Sequence, residues 1–223
     1  MIYLNTALSQ HFAVDELPAA VRSVLGKPLR RAATLTQLAV LGSDACLPAA
    51  WREQPTALLW QSTSGPRPET ERLLAEMRDG PGEPMPYDFL ATQPAIAAAQ
   101  LQPLLPGLGM ASHLPLDSAG PAQWSLLLTL AINWLHERRF AQVLCAQLDQ
   151  RNGAAHGQWL ALSRRPGSPP LASVEPGEAG EVGLADTPDL PEQLNRWLGQ
   201  MHPATIALEF PAASRLTVKF TRL

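Results

Sequence analysis

The chain has 223 residues, 46% of them hydrophobic and 17% charged, with a formal net charge of −3. A chain of this length can bury most of its unfolded surface within one domain, and its composition excludes intrinsic disorder. It has no basic excess to neutralise a phosphate backbone, so nucleic acid is not expected as a partner.

Met1 to Asn5 lacks the basic start and apolar core of a secretory leader, and Ile2 to Leu4 is expected as a short strand. Asp15 to Leu25 sets Leu17, Val21, Val24 and Leu25 at helical spacing, with Gly26 able to end the helix. Leu35 to Leu41 is an apolar run of strand length closed by Gly42. Thr56 to Gln61 is another, of the kind seen in strands buried on both faces. After the turn Ser62 to Pro66, Pro68 to Met77 is expected as an amphipathic helix with Leu73, Leu74 and Met77 on one side. Glu69 and Glu71 lie in its first turn, where the helix dipole favours them. The Gly/Pro loop from Asp79 to Pro86 lacks the Lys-Ser/Thr pair of a phosphate loop. Pro94 to Leu101 is Ala-rich and expected to be helical, with proline in the first turn.

Ala111 to Leu116 is a short strand candidate, and Pro121 to Arg139 is a helix apolar almost all round, which places it between layers or in an interface. Its most apolar part, Trp124 to Leu135, is too short to span a bilayer, so a soluble cytoplasmic protein is expected. Ala141 to Leu148 is expected as a buried strand, Gly153 to Gly157 as a loop, and Trp159 to Ser163 as a returning strand. Pro166 to Pro191 is expected as a long surface excursion, followed by an amphipathic helix over Leu190 to Met201. Thr205 to Phe210 and Leu216 to Arg222 alternate as an antiparallel pair would. Strands alternating with helices predict an α/β layered domain with a mostly parallel sheet flanked by helices. Cys46 and Cys145 both sit in apolar runs and are expected as buried thiols in a reducing compartment.

Chemistry is best sought in the strand–turn–helix–strand unit from Ala111 to Leu148. Its turn is Asp117-Ser118-Ala119-Gly120-Pro121. A tight strand-to-helix turn projects one side chain above the sheet and aims a helix N-terminus at it, an arrangement suited to a nucleophile and its oxyanion. From about Leu35 to Gln150 the chain resembles the N-terminal half of a β-ketoacyl synthase, of the thiolase-like superfamily. The features that carry the resemblance run in order. They are the strand Ala57-Leu58-Leu59-Trp60 ending in Ser62-Thr63-Ser64-Gly65, the stretch Pro86-Tyr87-Asp88-Phe89, and the small-residue helix Gln93 to Ala99. Gly107 or Gly109 then precedes the turn, and the strand Arg139 to Ala146 follows the buried helix.

The resemblance implies a thiolase-like fold, N-terminal half only. The whole chain is then a single ketosynthase-like domain with a C-terminal extension from about residue 164. An active synthase carries a cysteine at the turn. The pattern puts Gly120 there, and neither Cys46 nor Cys145 falls at that place. The family's catalytic histidines belong to its other half. Condensation needs a nucleophile to hold the acyl chain and histidines to assist decarboxylation, so no catalytic residue is expected. The emptied turn, Asp117, Ser118, Ala119, Gly120 and Gln123, resembles that of a chain length factor. Such subunits usually carry glutamine in place of the cysteine, and Gln123 lies three residues too late to match. The chain's length and its opening residues are closer to the truncated ketosynthase-like proteins of aryl-polyene pathways.

The resemblance implies no cofactor and no metal. It implies an active β-ketoacyl synthase as partner, with an acyl carrier protein reached through that partner. Trp124, Leu127, Leu128 and Trp134 are then either plain core or the lining of a shared interface and acyl tunnel. Arg30, Arg31, Arg138, Arg139, Arg164 and Arg165 are expected mainly as solvated charge, with an acidic carrier protein as the other reading. Two further readings stay open. One is a serine-dependent acyl hydrolase or acyltransferase using Ser118 with His113 or His136 as base, although Ser118 also suits a plain turn role. The other is a homodimeric scaffold. The five histidines, His11, His113, His136, His156 and His202, have no metal-binding spacing.

Overall fold

In the computed structural model, which describes residues 1–80, 85–115, 124–177, 183–208 and 217–223, the chain opens on a long strand, β1 (Ile2–Ala13), where a short one was expected. A bulge between Leu4 and Thr6 explains the difference. Ile2 and Leu4 pack on one face of the sheet, and beyond the bulge Leu8 and Phe12 pack on the other. The apolar alternation that marks a strand is therefore broken in the middle of this one.

Next come α1 (Leu17–Leu25) and α2 (Thr34–Cys46). The second corrects the strand expected at Leu35 to Leu41. Nearly all of its residues from Thr34 to Ser43 are buried, so it shows no polar stripe, and a short apolar run does not distinguish a buried helix from a buried strand. β2 (Thr56–Gln61) is buried along its whole length, as expected. The connection to β3 (Leu108–His113) carries α3 (Arg67–Asp79), α4 (Pro86–Ala91) and a 3-10 turn at Pro94–Ala98, where a longer α-helix was expected. On α3 only Leu73 of the expected apolar side is buried; Leu74 and Met77 are exposed.

α5 (Trp124–His136) leads to the hairpin β4 (Gln142–Arg151) and β5 (Ala154–Ser163). The hairpin turns at Asn152-Gly153, both in the left-handed region, so the stretch expected as a loop is strand from Ala154 on. The remainder is β6 (Ala172–Pro176), β7 (Gly183–Leu184), α6 (Leu190–Leu198), β8 (Thr205–Leu208) and β9 (Val218–Arg222). The excursion expected between Pro166 and Pro191 thus contributes two strands.

Among the described residues the strands form one sheet in the order β3-β2-β4-β5-β1-β6-β9-β8-β7. Pairing is parallel in β3-β2-β4 and in β7-β8, and antiparallel at the other five junctions. The parallel order expected from alternating strands and helices is therefore strongest around β2. Helices cover both faces. α5 and α6 pack with Leu59, Val143, Cys145 and Leu160 on one side, and α1 and α2 pack with Leu58, Trp60, Leu144 and Trp159 on the other. Burying so much apolar surface on both faces of the sheet is the dominant stabilising contribution.

Candidate functional site

In an open sheet with parallel strands, ligands bind beyond the strands' C-terminal ends. Here that end is marked by His113 on β3, Gln61 on β2 and Asp149 on β4. Asp117, Ser118, Ala119, Gly120 and Gln123 lie outside the described residues.

The described part of α5 begins at Trp124, and a carboxylate lies against it. Asp186, 5% exposed, accepts hydrogen bonds from Trp124 N (2.8 Å), Ser125 N (3.1 Å) and Ser125 Oγ (2.7 Å). A carboxylate is a strong acceptor for backbone N–H groups. Burial pushes the Asp186 carboxyl above the usual carboxylate range, while hydrogen bonds from Ser125 and Trp124 pull it back. Ser125 N and its hydroxyl are thus taken by a side chain from 61 residues further along the chain.

A second carboxylate fixes the neighbouring turn. Asp149 Oδ1 accepts from Thr63 N (2.7 Å), Ser64 N (2.7 Å) and Thr63 Oγ1 (2.9 Å), and Arg151 Nη2 donates to Thr63 Oγ1 at 2.6 Å. Beside it, Gln61 and Gln147 are paired across β2 and β4 and buried. Next to Gln147, Gln158 accepts from Ser9 Oγ at 2.5 Å. Four strands thus carry a polar row beneath the α5 face.

Of the residues expected at an interface or tunnel, Trp124, Leu127 and Leu128 are fully buried between α5 and the sheet. They belong to the hydrophobic core of the chain. Trp134 is partly buried at the far end of the helix, beside Phe140 and under the guanidinium of Arg139. His136 ends α5, about 18 Å from Trp124 at 1.5 Å per residue, too far to act as base for a group at the helix start. His113 is half-buried and tilted against Trp60, with ring centroids 4.4 Å apart. Burial holds its imidazole below the usual value, and its Nε2 has no hydrogen-bond partner among the described residues.

Cys46 and Cys145 are both buried, with thiols pushed far up by desolvation and so held in the unreactive protonated form. Among the described residues no cluster of three or more His, Cys, Asp or Glu side chains could hold a metal. No helix among them is long and apolar enough to cross a membrane. Sequence reasoning missed Asp186, Asp149 and the glutamine row. Asp186 stands alone in a Pro/Gly/acid stretch with no local motif around it, and only the tertiary fold brings it to α5.

No protein-family model matches the sequence, and no curated protein is similar to it. Solved structures are. A ketosynthase (ApeO) in complex with its chain length factor (ApeC) from Xenorhabdus doucetiae matches over 99% of each chain, with a TM-score of 0.58 and 17% identity. The ishigamide ketosynthase/chain length factor matches over 98% of each chain, with a TM-score of 0.57 and 14% identity. At these identities the likeness concerns the fold alone, and the chain shares the α/β fold of those two structures.

Proposed function

We propose that the chain is a non-catalytic, ketosynthase-like subunit of the chain-length-factor type. It pairs with an active β-ketoacyl synthase in polyketide or fatty-acid-like assembly, of which aryl polyene synthesis is one form. Asp186 carries the reading. A condensing site needs backbone donors near its nucleophile free to stabilise a thiolate or oxyanion, and here Trp124 N and Ser125 N, where the described part of α5 begins, are bonded to an internal carboxylate. Two further points support it. The sequence pattern puts Gly120 where the family mounts its cysteine, and the solved neighbours are described as a ketosynthase with its chain length factor.

Such a subunit contributes by packing. Among the described residues β3 is an edge strand, with Gly109 and Ala111 exposed. It touches the 3-10 turn at Pro94–Ala98, which touches α4, which packs on α3. Along that path Leu74, Met77, Met85, Phe89 and Leu90 are all exposed. A run of exposed large apolar side chains beside an open sheet edge suits a protein partner, and the partner assigned to it is the synthase. The acyl carrier protein is then met through that partner.

Co-expression with a tagged β-ketoacyl synthase from the same genome tests the reading. The expected result is a stable complex on affinity capture and light scattering, and an isolated chain that is inert toward acyl thioesters. Acyl loading of the isolated chain on Ser118, seen by intact mass spectrometry, would overturn it in favour of the serine enzyme. A stable homodimer that ignores the synthase would favour the scaffold.

A further inference from the structure

Two strands carry a pair of histidines that the proposed function does not use. His11 on β1 and His156 on β5 are direct cross-strand partners, 145 residues apart in the sequence, so no local spacing betrays them. Directly opposed residues of an antiparallel pair point to the same side of the sheet. Their Nδ1 atoms lie 2.7 Å apart, and the rings meet edge to face with centroids at 4.8 Å. Both rings can be reached from solvent: the His11 side chain is 58% exposed and His156 is half-buried.

Each ring has a carboxylate residue on its outer flank. Glu192 Oε1, from α6, lies 3.7 Å from His11 Nε2, and Asp149 of β4 is the cross-strand partner of His156. Arg151, the nearest cation on this side, is held by Thr63 Oγ1. A carboxylate beside the outer nitrogen of an imidazole favours the proton there and frees the inner nitrogen as an electron-pair donor, which is how metal-ligating histidines are commonly oriented. The spacing of the inner nitrogens selects a geometry. Two metal–nitrogen bonds of about 2.0 Å set at a right angle place their nitrogens about 2.8 Å apart, and at the tetrahedral angle about 3.3 Å. The observed 2.7 Å matches the first.

We propose that His11 and His156 chelate a divalent transition-metal ion of tetragonal preference, Cu²⁺ first, through their Nδ1 atoms, with water completing the coordination. As the pair stands, one Nδ1–H donates to the other Nδ1. The ion takes the place of that shared proton, which moves to the outer nitrogen of the same ring. Imidazole suits Cu²⁺, and Cu²⁺ heads the affinity order of the divalent first-row ions. A chelate of two histidines needs no third side chain, in keeping with the lack of any larger His, Cys, Asp or Glu cluster among the described residues. The inference is independent of the pairing with a synthase.

Cu²⁺ titrated against the full chain, at neutral pH in a buffer that does not bind metal, is the probe. Binding is read by electron paramagnetic resonance and by broadening of the histidine ring signals in NMR. One ion per chain is expected, with two equatorial ring nitrogens in its spectrum. The signals of His11 and His156 should broaden before those of His113, His136 and His202. His11→Asn and His156→Asn should each leave one ring nitrogen and weaken the ion by about tenfold or more, at least the cost of losing an outer partner of such a ligand. His136→Asn should change nothing. A single ring nitrogen in the unaltered protein, or equal broadening of all five histidines, would overturn the proposal. So would an affinity that His11→Asn and His156→Asn leave unchanged. The spectra of the unaltered protein need no substitution, so the test stands where a variant fails to fold.

Discussion

Asp186 and His113 are perturbed by the same cause, burial, and their effects on stability run in opposite directions with pH. The Asp186 carboxyl is raised above its ordinary value near 3.9, chiefly by desolvation. Its contribution to stability is complete below that unfolded value and is lost as pH rises through the folded one. Asp186→Asn keeps an acceptor for Trp124 N and cannot titrate. Urea midpoints of the wild type, measured against this variant, should therefore decline from about pH 4 upward. Asp186→Ala removes the acceptor of Trp124 N and Ser125 N and should cost about 1–3 kcal/mol by denaturant unfolding. An alanine variant as stable as the wild type would mean that the carboxylate does not cap α5. For His113 the imidazole is lowered by burial. Its contribution is present above about pH 6.5 and is lost as pH falls through the folded value. His113→Phe keeps a ring against Trp60 and should remove that acid-side loss, while the wild-type ring should titrate below 6.5 by NMR. Neither effect is legible in the sequence, because both depend on what the fold stacks around an ordinary-looking residue.

At the scale of elements, the helices are capped from a distance. α2 and α3 have no side-chain cap of their own at the N-terminus, and Glu69 of α3 accepts from Thr34 N, the first N–H of α2, at 3.2 Å. Asp186 likewise accepts from Trp124 N and Ser125 N of α5, from far along the chain. Local rules for helix starts read S/T/D/N beside the first turn, so long-range caps of this kind leave no mark in the sequence. The misreading of α2 has another cause. Gly42, taken as the end of a strand, lies inside the helix because the indole of Trp159 presses on it. A Cβ there would sit 1.9 Å from Trp159 Cε2, and one at Gly157 would sit 2.7 Å from Nε1. Gly42→Ala gains up to about 1 kcal/mol of helix propensity but forces the indole out of its seat, an overpacking cost of about 1–3 kcal/mol. The variant should melt at a lower temperature with altered near-ultraviolet tryptophan signals, and an unchanged or raised Tm would mean that the indole has room to move. By contrast, the hairpin signal Asn152-Gly153 was present in the sequence and could have been used, since both residues take the left-handed conformation that such turns require.

At the scale of the molecule, what was legible is the α/β layering, the buried helix behind the predicted turn and the apolar strands β2 and β4, all of which announce themselves by composition over six or more residues. What was not legible is the way residues 172–222 extend the sheet beyond β1, because short strands between prolines and glycines look like loops. That extension supplies Asp186, so the carboxylate that bonds to Trp124 and Ser125 of α5 comes from outside the stretch that carried the resemblance. The same layout argues where a partner docks. One end of the sheet is finished by the short parallel pair β7-β8, and the other stops at β3 with the apolar side chains of α3 and α4 beside it. Phe89 is 59% exposed and Met77 61% exposed, so charging them costs the isolated fold little. Phe89→Asp with Met77→Glu should leave the thermal melt of the isolated chain within a few degrees of the wild type. In the complex the same charges would be desolvated against apolar surface without a partner, and affinity should fall by a factor of about ten or more. Affinity capture of the tagged synthase reads the outcome directly: undiminished capture of the double variant would move the docking surface away from α3 and α4.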